Sequence, residues 1–206
     1  MLFFFLYLEK SKSSIGIRII FLNVLLNFIL NSLVVITNAT NATLYESVTL
    51  TEYLLFALFI WVLLKSKKAK LVVAIASLIY IIFYIIYSLL YEVSILTVSI
   101  PIGVEAILIL IFSFYYLYEQ MNDTSTLFIY TKPAFWIILG MVLYLAGSFF
   151  VYIFSNYLNK DVREKYWVIT NVLSILKNIF FCIAIHINAK PPKESLHYDL
   201  ELSGPH

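Results

Sequence analysis

Six runs of about 20 predominantly apolar residues, joined by short connections, constrain this chain more than any other feature. An α-helix rises 1.5 Å per residue, so a run of that length crosses a hydrocarbon core of roughly 30 Å. The runs lie at 17–37, 45–64, 71–91, 98–118, 133–152 and 166–187. Lipid offers no hydrogen-bond partners to the backbone, so each run is expected to be helical, with every N–H and C=O paired internally. The expected fold class is therefore all-α, a polytopic transmembrane helix bundle of six spans. Residues 1–16 form an apolar stub with a basic flank, 17–187 the membrane domain and 188–206 a short polar tail. Composition agrees: 62% of residues are hydrophobic and 13% charged, against about 25% charged in soluble domains.

The connections carry their own punctuation. Pro133 follows Thr131 and Lys132 and suits a first helical position, where its missing N–H would be unpaired anyway. Asp161 and Glu164 have the spacing of a capping box, which starts the sixth helix near Val162. Met1 to Leu8 are all apolar or aromatic, but the charges Glu9, Lys10 and Lys12 follow them. A signal peptide has its positive charges in front and an apolar region of about 7–15 residues, so cleavage is not expected.

Lys and Arg near span ends resist translocation. With the N-terminus inside, ten such residues lie on the inner side (Lys10, Lys12, Arg18, Lys65, Lys67, Lys68, Lys70, Lys132, Lys190, Lys193) and three outside (Lys160, Arg163, Lys165). Both termini of this multi-pass chain are thus expected in the cytoplasm. Asn38-Ala-Thr and Asn41-Ala-Thr then fall outside as formal glycosylation acceptors; in a bacterial protein they would be chance matches.

A charge at mid-membrane costs about 2.5–3.5 kcal/mol on insertion scales, so intramembrane ionisable residues are the best clue to function. Glu52, Glu105 and Lys177 stand out. They sit on helices of one direction and similar depth, and side chains lean toward their own helix N-terminus, so the three are expected to meet in the outer half of the bundle. Such a trio reads either as a site for a polar ligand, ion or proton, or as a self-neutralising ion pair between helices. Thr170, Asn171, Ser174 and Asn178 surround Lys177 in sequence and are candidates to line the same site. Asn23, Asn27 and Asn31, with Ser32, are spaced for hydrogen bonds between helices.

Tyr80, Tyr84, Tyr87 and Tyr91 form a stripe of packing and interface anchors on the third helix. Pro101 and Gly103 are expected to loosen the first turn of the fourth, while Gly140 and Gly147, one heptad apart beside Ser148, allow a close helix contact.

Several classes of function find no support. There is no His-Glu-x-x-His, Gly-x-Ser-x-Gly, phosphate-binding glycine loop or Cys/His cluster, so an enzyme, a metal site or a cofactor is not expected. His186 lies at a helix end, and His197 and His206 in the tail. A net charge of +2 is too small for counterion-release binding to nucleic acid. The single cysteine, Cys182, reads as a packing residue.

Four segments, TLYESVTLTEYLLFALF, VEAILILIFSFYYLYE, KPAFWIILGMVLYLAGSFFVY and ILKNIFFCIAI, resemble a family of small multi-helix membrane proteins of Bacteroidota-type bacteria, over most of 17–187. Phe135-Trp136, between Pro133 and Gly140, is its most recognisable element. Members tend to have seven spans and to be encoded near two-component signalling genes. The resemblance therefore implies a non-enzymatic sensory or signalling-accessory role, with a signalling protein or a second copy of the chain as partner besides the lipid bilayer. It also makes Met1 to Leu8 the stub of a further helix, which in a seven-span form would put the N-terminus outside. The alternative from the residues alone is a small-solute or ion transporter using the intramembrane charges. No repeat relates 17–91 to 98–187, as many carriers would show.

Overall fold

The computed structural model describes residues 14–36, 42–91, 99–123, 128–154 and 160–189. The apolar stub, Asn38 and Asn41, and the tail beyond 189 lie outside the described residues. Among them are six α-helices: α1 (Ile15–Ile36), α2 (Ala42–Leu63), α3 (Lys67–Leu90), α4 (Ser99–Met121), α5 (Pro133–Phe154) and α6 (Lys160–Ala189). A 3-10 turn at Ile129–Thr131 precedes α5. The chain is all-helical in its described parts and carries five helical segments long and apolar enough to cross a bilayer. The remaining helix, α2, has a shorter apolar stretch, Ser47–Leu63. The span expected at 45–64 is thus present as a helix of 22 residues.

Surface and interior are sorted as a lipid solvent requires. Leu71, Val72, Ile75, Leu78, Ile79, Ile82, Ile85, Ile86 and Leu89 of α3 all face outward, whereas Tyr80 and Tyr84 of the same helix are buried. The larger hydrocarbon surface is directed at the surroundings, and the polar-tipped rings are turned in. The Tyr53 and Tyr80 ring centroids are 4.1 Å apart. Their hydroxyls donate to Ser77 Oγ at 2.9 Å and to the Pro101 carbonyl at 3.3 Å. Tyr87 is half-buried and Tyr91 exposed, so only the first half of the stripe reaches the interior.

Packing runs from α1 onto α2, from α2 onto α3 and α4, from α4 onto α5, and most extensively from α5 onto α6. A Cβ on Gly140 would lie 2.9 Å from Phe180 Cβ and 3.2 Å from the Lys177 carbonyl, and one on Gly147 2.4 Å from Leu173 Cδ1. The two glycines therefore let the α5 and α6 backbones meet closely, as their spacing suggests. Association in lipid depends on such close van der Waals contact, because burial from lipid brings no hydrophobic gain.

The ends of α2 and α4 and the starts of α3 and α5 are tied by polar contacts. Glu119 at the end of α4 accepts the backbone N–H groups of Lys65 and Ser66, each at 2.8 Å, with one carboxylate oxygen apiece. Ser66 Oγ in turn caps α3, accepting from the Ala69 N–H at 3.4 Å. Lys65 pairs with Asp123, while Lys132 donates to Gln120 Oε1 at 2.6 Å and lies 3.9 Å from Asp123.

Three local expectations are corrected. Asn27 and Asn31 donate to the carbonyls of Asn23 and Asn27, and Ser32 to that of Phe28. These polar groups bond back to their own helix four residues earlier instead of to a neighbour, which satisfies them at no cost in helix placement. The sixth helix begins at Lys160, so Asp161 and Glu164 lie within its first turns and do not flank its start. Finally, α4 is unbroken from Ser99: Pro101 falls in the first turn, where an N–H has no intrahelical acceptor to lose.

Candidate functional site

Lys177 of α6 and Glu52 of α2 meet across the bundle. The ammonium Nζ donates to Glu52 Oε1 at 2.6 Å, and the residues are 7% and 8% exposed. They are 125 positions apart in sequence, and the backbones of their helices do not pack closely, so long side chains make the link. The ammonium also lies 3.9 Å from the Tyr144 ring centroid and 5.4 Å from that of Phe56. Its positive charge is thus held by one carboxylate and by aromatic faces whose quadrupoles attract cations, an interaction worth about 2 kcal/mol when desolvated.

Local sequence explains this placement. Gly140 brings the α5 backbone against the backbone of Lys177 itself. Tyr144, one turn further along α5, then stands where the Lys177 chain extends. On α2, Tyr53 and Phe56 are fully buried. Glu52, Tyr53 and Phe56 occupy one helical face by their spacing, so burial of the aromatics brings Glu52 inward with them.

Glu105 of α4 is 3% exposed, and its Oε1 makes no hydrogen bond among the described residues. It lies within electrostatic reach of both Glu52 and Lys177, which act on it in opposite senses. No ion pair within 4.0 Å joins it to Lys177 among the described residues. The trio anticipated from depth is therefore gathered in one region, with unequal roles: Glu52 and Lys177 form the pair, and Glu105 stands beside it. Tyr53 and Tyr80 are also in the field of Glu105, but their hydroxyl hydrogens are directed to Ser77 and Pro101.

The polar stripe on α6 divides. Thr170 is buried with Oγ1 unpaired, Ser174 and Asn178 are half-buried, and Asn171 is exposed. Thr170, Ser174 and Lys177 follow each other at four and three residues on one face; Asn171 is turned about 100° away by the helical repeat and does not line the interior. Sequence reasoning did not single out Tyr144 or Phe56, whose signal is visible only once a cation is known to lie between them. Among the described residues no group of three or more His, Cys, Asp or Glu side chains could hold a metal ion.

Comparison of the chain with known protein families, with curated proteins and with solved structures gives no match.

Proposed function

We propose that this chain is a non-enzymatic, multi-pass protein of a bacterial inner membrane that acts as a sensory or signalling-accessory module. The observation that carries the reading is the interior charge cluster, in which a closed Glu52–Lys177 pair adjoins a carboxylate with an oxygen left unbonded. Buried ionic groups are costly in a membrane and contribute little net stability, so their presence in the core favours a response to charge. In this reading α2 is the sixth span: its 22 residues reach about 33 Å, enough for a hydrocarbon core of roughly 30 Å. The ten to three distribution of Lys and Arg supports a cytoplasmic position for both termini. The output passes to a signalling protein or a second copy of the chain, in keeping with the family resemblance. Deletion with transcript profiling, together with capture of partners on the tagged chain, tests this. A changed regulon and a co-purifying signalling protein are expected; an unchanged transcriptome with no such partner refutes it.

A second reading, a small-solute or ion transporter, draws on the unbonded oxygen of Glu105. It predicts uptake into proteoliposomes that is lost in Glu105→Gln. Rates equal to those of empty vesicles count against it.

A further inference from the structure

We infer that Glu105 is the site of one exchangeable positive charge, a proton or an alkali-metal ion, held in the bundle interior next to the Glu52–Lys177 pair. The inference rests on reading this cluster as a ligand site.

The argument is an inventory of charges and hydrogens. Glu52 and Lys177 cancel one another at 2.6 Å, and the rest of the ammonium is faced by the rings of Tyr144 and Phe56. Within electrostatic reach of Glu105 stand Glu52 and Tyr53 of α2, Tyr80 of α3 and Lys177 of α6. The only cation in this set is already paired with Glu52. Both phenols in the field of Glu105 donate elsewhere, one to Ser77 and one to Pro101. A bare carboxylate is acceptor-only and needs donors or a cation once removed from water. With 3% exposure and Oε1 unbonded, Glu105 has neither need met at that oxygen by the described residues. Two carboxylates and one ammonium sum to one negative charge, and a single monovalent cation restores neutrality in a region of low dielectric. A proton satisfies it as a carboxylic acid. An alkali-metal ion would add Glu105 Oε1 to whatever oxygens it can gather.

The purified full-length chain in lipid nanodiscs provides the test, through its melting temperature in two series. One varies pH at constant choline chloride, and the other replaces choline by sodium or potassium at constant pH. Binding of one proton at Glu105 makes the folded-to-unfolded ratio fall by up to about tenfold per pH unit as pH rises from the ordinary glutamate value of about 4.3 to the site's own midpoint, and level off above it. Binding of a metal ion instead makes stability rise with that salt alone. In either case Glu105→Gln, an uncharged group of the same shape, abolishes the dependence. A wild-type dependence that Glu105→Gln leaves intact, or no dependence on either variable, overturns the inference. Should Glu105→Gln fail to fold, labelling of the wild-type chain with dicyclohexylcarbodiimide decides, since it attacks protonated carboxyls in apolar surroundings. Label at Glu105 that is suppressed by high pH or by alkali salt supports the site, and label unaffected by both, or absent, refutes it. Because none of these readouts involves transcription or a partner, an exchange site can survive while the signalling role fails, and the reverse.

Discussion

Replacing Lys177 by Met removes the charge and keeps most of the chain's length, so it isolates the electrostatic role of the ammonium. The partners are 7% and 8% exposed, too little for solvent screening to soften the loss. Breaking one side of a buried pair costs about 3–5 kcal/mol. Lys177→Met should lie at the upper end, because it leaves Glu52 and Glu105 as neighbouring carboxylates with no cation and also forfeits the contact with Tyr144 at 3.9 Å. Glu52→Leu should lie nearer the lower end, because the freed ammonium remains in the field of Glu105. For chains of this size, 3–5 kcal/mol corresponds to a fall in melting temperature of about 6–20 °C. The double variant strands no partner and is expected to recover at least 2 kcal/mol relative to the sum of the two losses. Thermal unfolding in detergent across the four chains measures this. Strict additivity in the Glu52/Lys177 cycle would refute the pairing, and coupling confined to a parallel Glu105/Lys177 cycle would show that the ammonium belongs to the other carboxylate.

Gly140→Ala should be more damaging than Gly147→Ala. The added methyl at 140 meets Phe180 Cβ and the Lys177 backbone, which cannot swing aside, whereas at 147 it meets the tip of Leu173; about 1–3 kcal/mol is expected for the first by thermal unfolding, and less for the second. Glu119→Ala should cost about 1–2 kcal/mol, comparable to a lost helix cap, with Glu119→Gln intermediate because one oxygen still accepts a backbone N–H. In a Cys182→Ser background, a cysteine at position 41 should be labelled by an impermeant maleimide from the periplasm and one at 67 only after the membrane is opened; the opposite pattern inverts the topology.

Depth was legible in the sequence, and rotation was not. Apolar runs and 1.5 Å per residue locate Glu52, Glu105 and Lys177 at comparable levels, because the bilayer imposes a common ruler on every span. Which carboxylate takes Lys177 depends on how α2, α4 and α6 turn about their axes. Those turns follow from packing at Gly140 and from burial of Tyr53 and Phe56. Ordinary amphipathic patterns fail as a guide here, since both faces of α3 are apolar and only the tyrosines mark the inner one. Asn23, Asn27 and Asn31 illustrate the same limit: spacing shows that they share a face, but not that Asn27 and Asn31 spend their donors on their own helix.

The unequal packing of the bundle indicates where a change of charge would act. The α5–α6 seam rests on backbone approach at two glycines, to which the Lys177 ammonium over the Tyr144 ring adds a contact. The link from α6 to α2, by contrast, is made by Lys177 and Glu52, with the ends of α2 and α4 joined separately through Glu119. Loss of the ion pair should therefore loosen the α1–α2 side from α6 while leaving α5 and α6 together, with Glu119 and the packing of α2 onto α3 and α4 still restraining α2. Amide hydrogen exchange on Lys177→Met in nanodiscs examines this at the level of single helices, because protection reports local opening and not only global unfolding. Faster exchange is expected in α2 around Glu52, with α5 and the adjoining part of α6 unchanged between Gly140 and Gly147. Uniform acceleration across all helices would mean that the ion pair holds no particular interface, and that charge at this site does not select a direction of motion.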